Sequence, residues 1–564
     1  MRFPRRSIPA DAASGSAGTR PTTGAAYTDG RGAFIAPVEH ILDGAGITGS
    51  RRLRFDALVV GAGAGGAPVA KELAQGGMRV AILEEGPRFE PDRFNARPGQ
   101  MTPLLYRDAG QTMTLGNVPI LLPLGRGLGG TSLINSATCF RTPPAVLAMW
   151  GRRFGLESLT PETLDPFFRR VEREINVAKV PPEIAGRNAE VVRRGAEALG
   201  WSGDYIHRNA RGCVGSGVCN FGCPTSAKQH VGITYIPRAW EAGALTCTGA
   251  RVTRILTAAG RATGVLARTS AGGALQIDAD VVVLAAGAIH TPLILRRSGL
   301  GERSGELGGN LSIHPATAVR ALFEEHIDMA VGVPQSYYID EFADQGIMFE
   351  GAGGPPDYTA ASFASYSSED TRELMRDYRH MSQFGAMVSD RSRGLVRERH
   401  GRVEIRYDLL PEDLAAFKLA LERLGELYAA AGAHTVIYPV EGLPPQPAGE
   451  LGALRAHELR PRDVTLMAFH PLGTARADAW PARGVVDADL RLHGLEGLHI
   501  ADASVVPSSL GVNPQMTIMA LATRLAYHLL DLPAPDHEPH PETLAEPRIA
   551  HVHEPAPARE TVLA

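Results

Sequence analysis

The chain has 564 residues, a formal net charge of −4, and 44% hydrophobic against 21% charged residues. That balance supplies a substantial core and excludes a chain disordered throughout. A near-neutral charge also excludes a general nucleic-acid binder, which needs a basic excess. Of five cysteines, Cys213, Cys219 and Cys223 fall within eleven residues. This odd, clustered set excludes a full disulfide framework and leaves one local bridge open.

The N-terminus, MRFPRRSIPADAASGSAGTRPTTG, is basic but no apolar run follows it, so no secretory leader is expected. No uncharged apolar stretch approaches the roughly 18 residues of a membrane span. The chain therefore reads as a cytoplasmic protein of a reducing compartment with no integral membrane segment. The apolar run Phe55 to Val60 predicts a buried parallel strand, followed by a tight turn at Gly61-Ala62-Gly63. A helix over Ala67 to Leu73, stopped by Gly76 and Gly77, and a strand over Arg79 to Leu83 complete a βαβ unit. Positions 156–205 read as a mainly helical insertion. The stretch ALTCTGARVTRILTAAGRATGVLARTSAGGALQIDA predicts a β-meander inserted in the α/β unit, with turns at Ala259-Gly260 and Ala271-Gly273.

A second buried strand is expected over Ala279 to Leu284, then a close turn at Gly287 and a helix over Pro292 to Arg297. Positions 316–460 are mixed: GRVEIRYDLL suggests a strand, PEDLAAFKLALERLGELYAAAG an amphipathic helix, and PVEGLPPQPAGELG a loop. Leu498 to Ala501 is another strand candidate, and the Pro- and charge-rich run from Pro533 reads as a flexible tail. The expected fold class is α/β. A discontinuous, Rossmann-like dinucleotide-binding domain takes 51–315 and 461–532, and a mixed α+β substrate-binding domain takes 316–460. An extension at 1–50 and a tail at 533–564 flank them.

Gly61, Gly63 and Gly66 form a GxGxxG at the strand–helix junction, where side chains would block the turn, the pyrophosphate approach or helix packing. The helix N-terminus offers amides and a positive dipole end to the pyrophosphate. Glu84 ends the next strand, 23 residues after Gly61, where an acid accepts ribose hydroxyls. FAD and nicotinamide nucleotides share this half-site. A second glycine cluster, PLGRGLGGTSLINSATCFR at 123–141, includes Gly127, Gly130, Thr131, Ser132 and Asn135 and is suited to laying backbone amides beside a large planar cofactor.

These blocks, with AAGAIHTPLILRRSG at 285–299, HPLGTAR at 470–476 and IADASVVPSSLGVNPQMTIMALA at 500–522, resemble the flavin-dependent glucose–methanol–choline (GMC) oxidoreductase family. They occur in family order and span roughly 55–525. The resemblance implies FAD in an extended pose, with its adenosine end at Gly61–Gly66 and Glu84. The 125–135 loop and Asp502 would approach the pyrophosphate–ribityl and flavin regions. It also implies that His470 is the catalytic imidazole facing the flavin and that Asn513 is its companion. An alcohol would lose its hydroxyl proton to His470 while its hydride moves to flavin N5, and Asn513 would hold the alcohol oxygen.

The GVNP sequence around Asn513 is similar to the sterol-oxidase and long-chain-alcohol branches, which implies a hydrophobic alcohol. Met329, Met348, Met387 and Phe384 could line its cavity or equally belong to the core. Oxygen, a quinone or a redox protein would reoxidise the flavin. His314 and His499 are read as structural, and Cys139 and Cys247 as core residues. The Cys213-x5-Cys219-x3-Cys223 spacing resembles cluster-bearing FAD sugar dehydrogenases, which would make these residues iron–sulfur ligands and the cluster an electron relay. Zinc with His207 or His230, a single disulfide, and buried thiols are the other readings of the same residues. A non-redox flavin lyase or isomerase is the remaining alternative on this scaffold.

Overall fold

The computed structural model describes residues 40–363, 366–536, 547–549, 552 and 554. Two eight-stranded sheets organise it. In the first, the order is Ile41–Asp43, Leu245–Thr248, Val80–Leu83, Ser50–Val60, Ala274–Leu284, Arg261–Thr269 and Ala250–Ala258. The pairings are parallel from Ile41–Asp43 through to Ala274–Leu284. The short Leu498–Ile500 strand adds to Ala274–Leu284, also in parallel. The mixed α/β architecture is thus as expected, and its central parallel strands are continuous apolar runs because both their faces are covered.

One expectation changes in detail. The meander and the Ala279–Leu284 strand are not separate elements. Ala274–Leu284 is one strand whose first half closes the antiparallel meander, through Ala274 opposite Arg268 to Asp278 opposite Gly264. Its last three residues pair in parallel with Leu498–Ile500. The strand is exposed and alternating at its start and fully buried at its end. Its two halves carry different periodicities and read as two elements.

The register brings four strand ends into one row. Leu83 lies opposite Val60, Val60 opposite Leu284, and Leu284 opposite Ile500. The chain leaves that edge at Gly61, Glu84, Ala285 and Ala501. Such an edge is where open α/β sheets bind ligands.

The second sheet is antiparallel, in the order Gln446–Pro447, Thr435–Ile437, Pro315–Leu322, Met381–Val388, Ile347–Gly351, Tyr337–Ile339 and Gly203–Tyr205, with Met467–Ala468 on the flank of Pro315–Leu322. It draws Gly203–Tyr205 and Met467–Ala468 from outside 316–460. Ile41–Asp43, inside the expected N-terminal extension, is a strand of the first sheet.

GRVEIRYDLL contributes Arg402–Arg406, hairpinned with Leu395–Arg399, and the amphipathic helix runs Pro411–Ala430. Positions 1–39, 537–546 and most of 550–564 lie outside the described residues, so the leader reading and most of the tail reading do too. Pro533, Ala534 and Asp536 are exposed, but the described residues around 548–552 are docked. Ile549 and Val552 pack on the main core, and the Arg548 amide donates to Asp340 over 2.9 Å.

Candidate active site

A cleft of about 1020 Å³ runs from the aligned strand ends to the face of the antiparallel sheet. At its first end, Gly61 turns with φ +104, a conformation that side chains disfavour. A Cβ on Gly66 would meet Gly61 O at 1.9 Å, so this glycine lets the helix Gly66–Gln75 start hard against the turn. Gly65, which the sequence motif did not single out, is just as confined, since its Cβ would meet Ala501 O at 1.6 Å. Gly61, Gly63 and Gly65 line the cleft; Gly66 stands behind them.

Glu84 accepts from the Ala62 amide at 3.1 Å and the Gly86 amide at 2.8 Å while lining the cleft. Burial pushes its carboxyl up to about 7, against the pull of those two amides. Asp502 accepts from the Gly287 amide at 2.9 Å, from Thr291 Oγ1 at 2.5 Å and from the Ser504 amide at 2.8 Å. It therefore occupies the N-terminus of helix Gly287–Arg297 with a protein carboxylate. The N-terminus of Gly66–Gln75 has no side-chain cap and is left for a ligand anion.

Gly130, Thr131 and Asn135 also line the cleft. Thr131 Oγ1 accepts from the Gly125 amide at 3.2 Å, and Asn135 donates to Gln515 Oε1 at 2.8 Å. Gly127 does not line the cleft. It sits behind the loop, where its Cβ would strike the Phe89 ring at 2.8 Å.

At the other end, the ladder between Pro315 and Ala468 carries His314 and His470 to the same place. Their Nδ1 atoms are 3.2 Å apart. His314 takes φ +47, strained for a non-glycine residue, and Asp390 holds its turn by accepting from Ser312 Oγ at 2.6 Å and the Ile313 amide at 3.0 Å. Burial pushes His314 down to about 4, and burial plus the His314 ring pushes His470 well below the usual imidazole range. Both rings are neutral at pH 7.

The Leu510 amide donates to His314 Nε2 over 2.9 Å, so that nitrogen carries a lone pair. The single proton of His314 is then on Nδ1 and is donated to His470 Nδ1. His470 in turn carries its proton on Nε2. This alters the expected role of a free base at that atom, because in this network Nε2 of His470 is a donor.

Asn513 immediately precedes Pro514, the N-cap of helix Gln515–Leu529. Its Nδ2 lies 3.4 Å from His470 Nε2 and donates to Glu350 Oε2 at 3.3 Å. Two N–H groups therefore face each other with no acceptor between them, an arrangement an oxygen would complete. Glu350 also accepts from Gln335 Nε2 at 2.8 Å, leaving its buried Oε1 without a partner. Burial pushes its carboxyl up to about 7, opposed by the hydrogen bond from Asn513. Sequence reading missed Glu350. The available signal was a lone acid in the apolar strand Ile347–Gly351, every residue of which is buried.

Of the expected lining residues, Met387 borders the cleft, whereas Met329, Met348 and Phe384 are core. His499 is buried on its strand and does not border the cleft; Cys139 and Cys247 are buried.

The described residues hold no preformed iron–sulfur site. All five cysteines are free, and no group of three His, Cys, Asp or Glu among the described residues could hold a metal. Nor do the described residues contain a preformed zinc site or a disulfide. The three sulfurs lie around two buried cations, Arg208 beside Cys213 and Cys219 and Lys228 beside Cys219 and Cys223. Arg208 Nη2 donates to Cys219 Sγ at 3.1 Å, the Lys228 amide to Cys223 Sγ at 3.5 Å, and Cys213 is part-exposed. Buried Lys228 grips the carbonyls of Leu133, Asn135 and Cys219 at 2.7, 2.9 and 2.7 Å, tying this segment to the 130–135 loop.

Two GMC oxidoreductase family models match the chain, over residues 103–316 and 390–522. A GMC-type oxidoreductase of Mycobacterium tuberculosis described as uncharacterized is 44% identical over 84% of this chain and 75% of its own length. A long-chain-alcohol oxidase of Arabidopsis thaliana is 27% identical over 89% of this chain and 72% of its own. Among solved structures, pyridoxine 4-oxidase from Mesorbium loti superposes with a TM-score of 0.66 at 20% identity, covering 84% of this chain and 98% of that one. The chain belongs to the GMC oxidoreductase family of FAD-dependent oxidoreductases. The cleft fits that cofactor. Its glycine cradle has no room for a Cβ at Gly61 or Gly65, its open helix N-terminus suits a pyrophosphate, and Glu84 lines the cleft with a carboxylate able to accept hydroxyl protons.

Proposed function

We propose that the protein oxidises an alcohol to the corresponding carbonyl compound. Gly61, Gly63, Gly65 and Glu84 would hold the adenosine half of FAD, and the 130–135 loop and Asp502 the remainder. FAD, when bound, supplies the hydride acceptor. The observation that carries the reading is the triangle of His470 Nε2–H, Asn513 Nδ2–H and the buried, unpartnered Oε1 of Glu350, three residues that all line the cleft.

The alcohol oxygen would sit between the two N–H donors. Both favour developing negative charge on that oxygen, so they bind the transition state better than the neutral hydroxyl. The hydroxyl proton passes to Glu350 Oε1 as the carbon–hydrogen bond gives up its electron pair. A carboxyl held near 7 is a competent acceptor at neutral pH. His314 holds the His470 proton on Nε2 throughout. The long-chain-alcohol oxidase relatives support an alcohol as the substrate.

The test is anaerobic mixing of the FAD-loaded protein with a panel of alcohols. Bleaching of the flavin by an alcohol is expected. No bleaching across the panel, with turnover of a non-redox substrate, would replace this reading with a lyase or isomerase.

A further inference from the structure

The antiparallel sheet lays a shallow trough beyond the His470–Asn513–Glu350 triangle. Glu350 lies opposite Gly385, and Gly385 opposite Ala318. Side chains alternate along a strand, so Ala316, Ala318 and Arg320 share one face. That face borders the cleft, and its hydrogen and methyl side chains keep the floor low as far as Arg320. From strand spacing and rise, the α-carbons of Glu350 and Arg320 are about 12 Å apart.

Arg320 is 7% exposed. Its Nη2 donates to Ser362 Oγ at 2.6 Å, its guanidinium lies 4.6 Å over the Phe363 ring, and its Nε has no partner. Burial pushes it down to about 10, opposed only by tyrosines, with no carboxylate among the described residues contributing. It remains charged at neutral pH. The Tyr366 hydroxyl, also at the cleft edge, is a second buried polar group without a partner.

The molecule treats its other buried cations differently. Lys71 pairs with Glu72 and Glu174; Arg208 and Lys228 also lack a carboxylate, but Arg208 donates to Ser136 O and Cys219 Sγ and Lys228 grips three carbonyls, whereas Arg320 keeps an unpartnered Nε. A buried charge left without a counter-charge costs several kcal/mol. Here that charge faces a cavity, where a ligand can supply the missing partner.

We propose that Arg320 and Tyr366 form an anion-binding site, and that the substrate is an alcohol whose far end carries an oxyanion: a carboxylate, a phosphate or a sulfate. The substrate half of this proposal rests on the alcohol oxidation proposed above; the anion site itself does not. It narrows the hydrophobic-alcohol expectation. The methylene chain lies over the Ala316–Ala318–Gly385 floor, and its terminus is charged.

The test is calorimetric binding to the FAD-loaded enzyme of octanoate, octyl phosphate and octyl sulfate, with octanamide as the neutral comparison. None of these is an alcohol, so the measurement stands whether or not alcohols bleach the flavin. Wild type is expected to bind at least one anion tenfold or more tighter than octanamide, and the best binder identifies the oxyanion. Arg320→Met should remove that preference without changing octanamide binding, and Arg320→Lys should restore part of it. Tyr366→Phe, which leaves the buried cation in place, should weaken the anion several-fold and serves if Arg320→Met does not fold. Equal binding of anions and octanamide by wild type would overturn the proposal, as would anion binding indifferent to both Arg320→Met and Tyr366→Phe. If the anions bind through Arg320 while no alcohol reduces the flavin, the site stands and the alcohol reading falls.

Discussion

His314 and His470 meet through their Nδ1 atoms at 3.2 Å although 156 residues separate them. Because the Leu510 amide fixes the far nitrogen of His314, this contact sets which nitrogen of His470 bears its proton. His314 is a positioning residue in this scheme. His314→Asn tolerates the left-handed backbone but removes the ring. Flavin reduction by the substrate alcohol should slow by about 10- to 100-fold, in kcat more than KM. Nitrogen NMR of His470 should show its proton divided between Nδ1 and Nε2. An unchanged tautomer signal in that variant would remove His314 from the scheme.

Glu350→Gln should retain FAD and lower the flavin-reduction rate by about 10²- to 10⁴-fold. In wild type the rate should rise with pH through about 7, as the Glu350 carboxyl ionises, and fall below it. The variant should lose that limb. A wild-type pH profile that survives in Glu350→Gln would move the proton acceptor elsewhere.

The same carboxyl affects stability with the opposite sign. Its folded pKa, about 7, is raised above the ordinary value of 4.5. Between those values the folded state holds a proton that the unfolded state has released, so stability falls as pH rises through this window. Above it the penalty is complete, on the order of 1–3 kcal/mol. Thermal melts of Glu350→Gln should therefore exceed wild type at pH 8 and converge with it near pH 4. A gap that widens toward acid would contradict the burial assigned to this side chain.

Gly65→Ala places a methyl carbon 1.6 Å from Ala501 O. The backbone must move, which costs about 1–3 kcal/mol. The protein should lose FAD on gel filtration and melt earlier. The neighbouring Gly63→Ala meets nothing closer than Gly130 Cα at 3.8 Å and should fold with wild-type stability.

Anaerobically purified protein should carry neither iron nor acid-labile sulfide. Replacing Cys213, Cys219 and Cys223 by serine should leave the visible spectrum that of a flavin alone. Stoichiometric iron and sulfide in wild type, lost from the triple variant, would restore the cluster.

The legible parts of this molecule are those whose signals are local. Phe55–Val60, the glycine turn and the helix after it lie within one short window, and their apolar runs and breakers mark them directly. The cysteine spacing was equally local but left several readings open. Its glycine-rich turns bring Cys219 to Arg208, Cys223 to the Lys228 amide and Cys213 against the second core, and spacing alone does not encode direction. Glu350 was hidden for a different reason. A strand reveals an inward acid only once its sheet partners are known, and the partners that make Glu350 functional, Asn513 and Gln335, come from other segments. The His470 proton depended on a backbone amide at Leu510, which no side-chain pattern reports.

The alignment of Leu83, Val60, Leu284 and Ile500 at one sheet edge has a consequence for biosynthesis. Gly65 closes against Ala501, and Asp502 pins the Gly287 turn, so an early glycine cradle is finished by residues that leave the ribosome long after it. Completion of the flavin-nucleotide cradle then waits for the Ala501–Asp502 segment to be made. A nascent chain stalled before Ala501 would expose its apolar strand ends to chaperones instead.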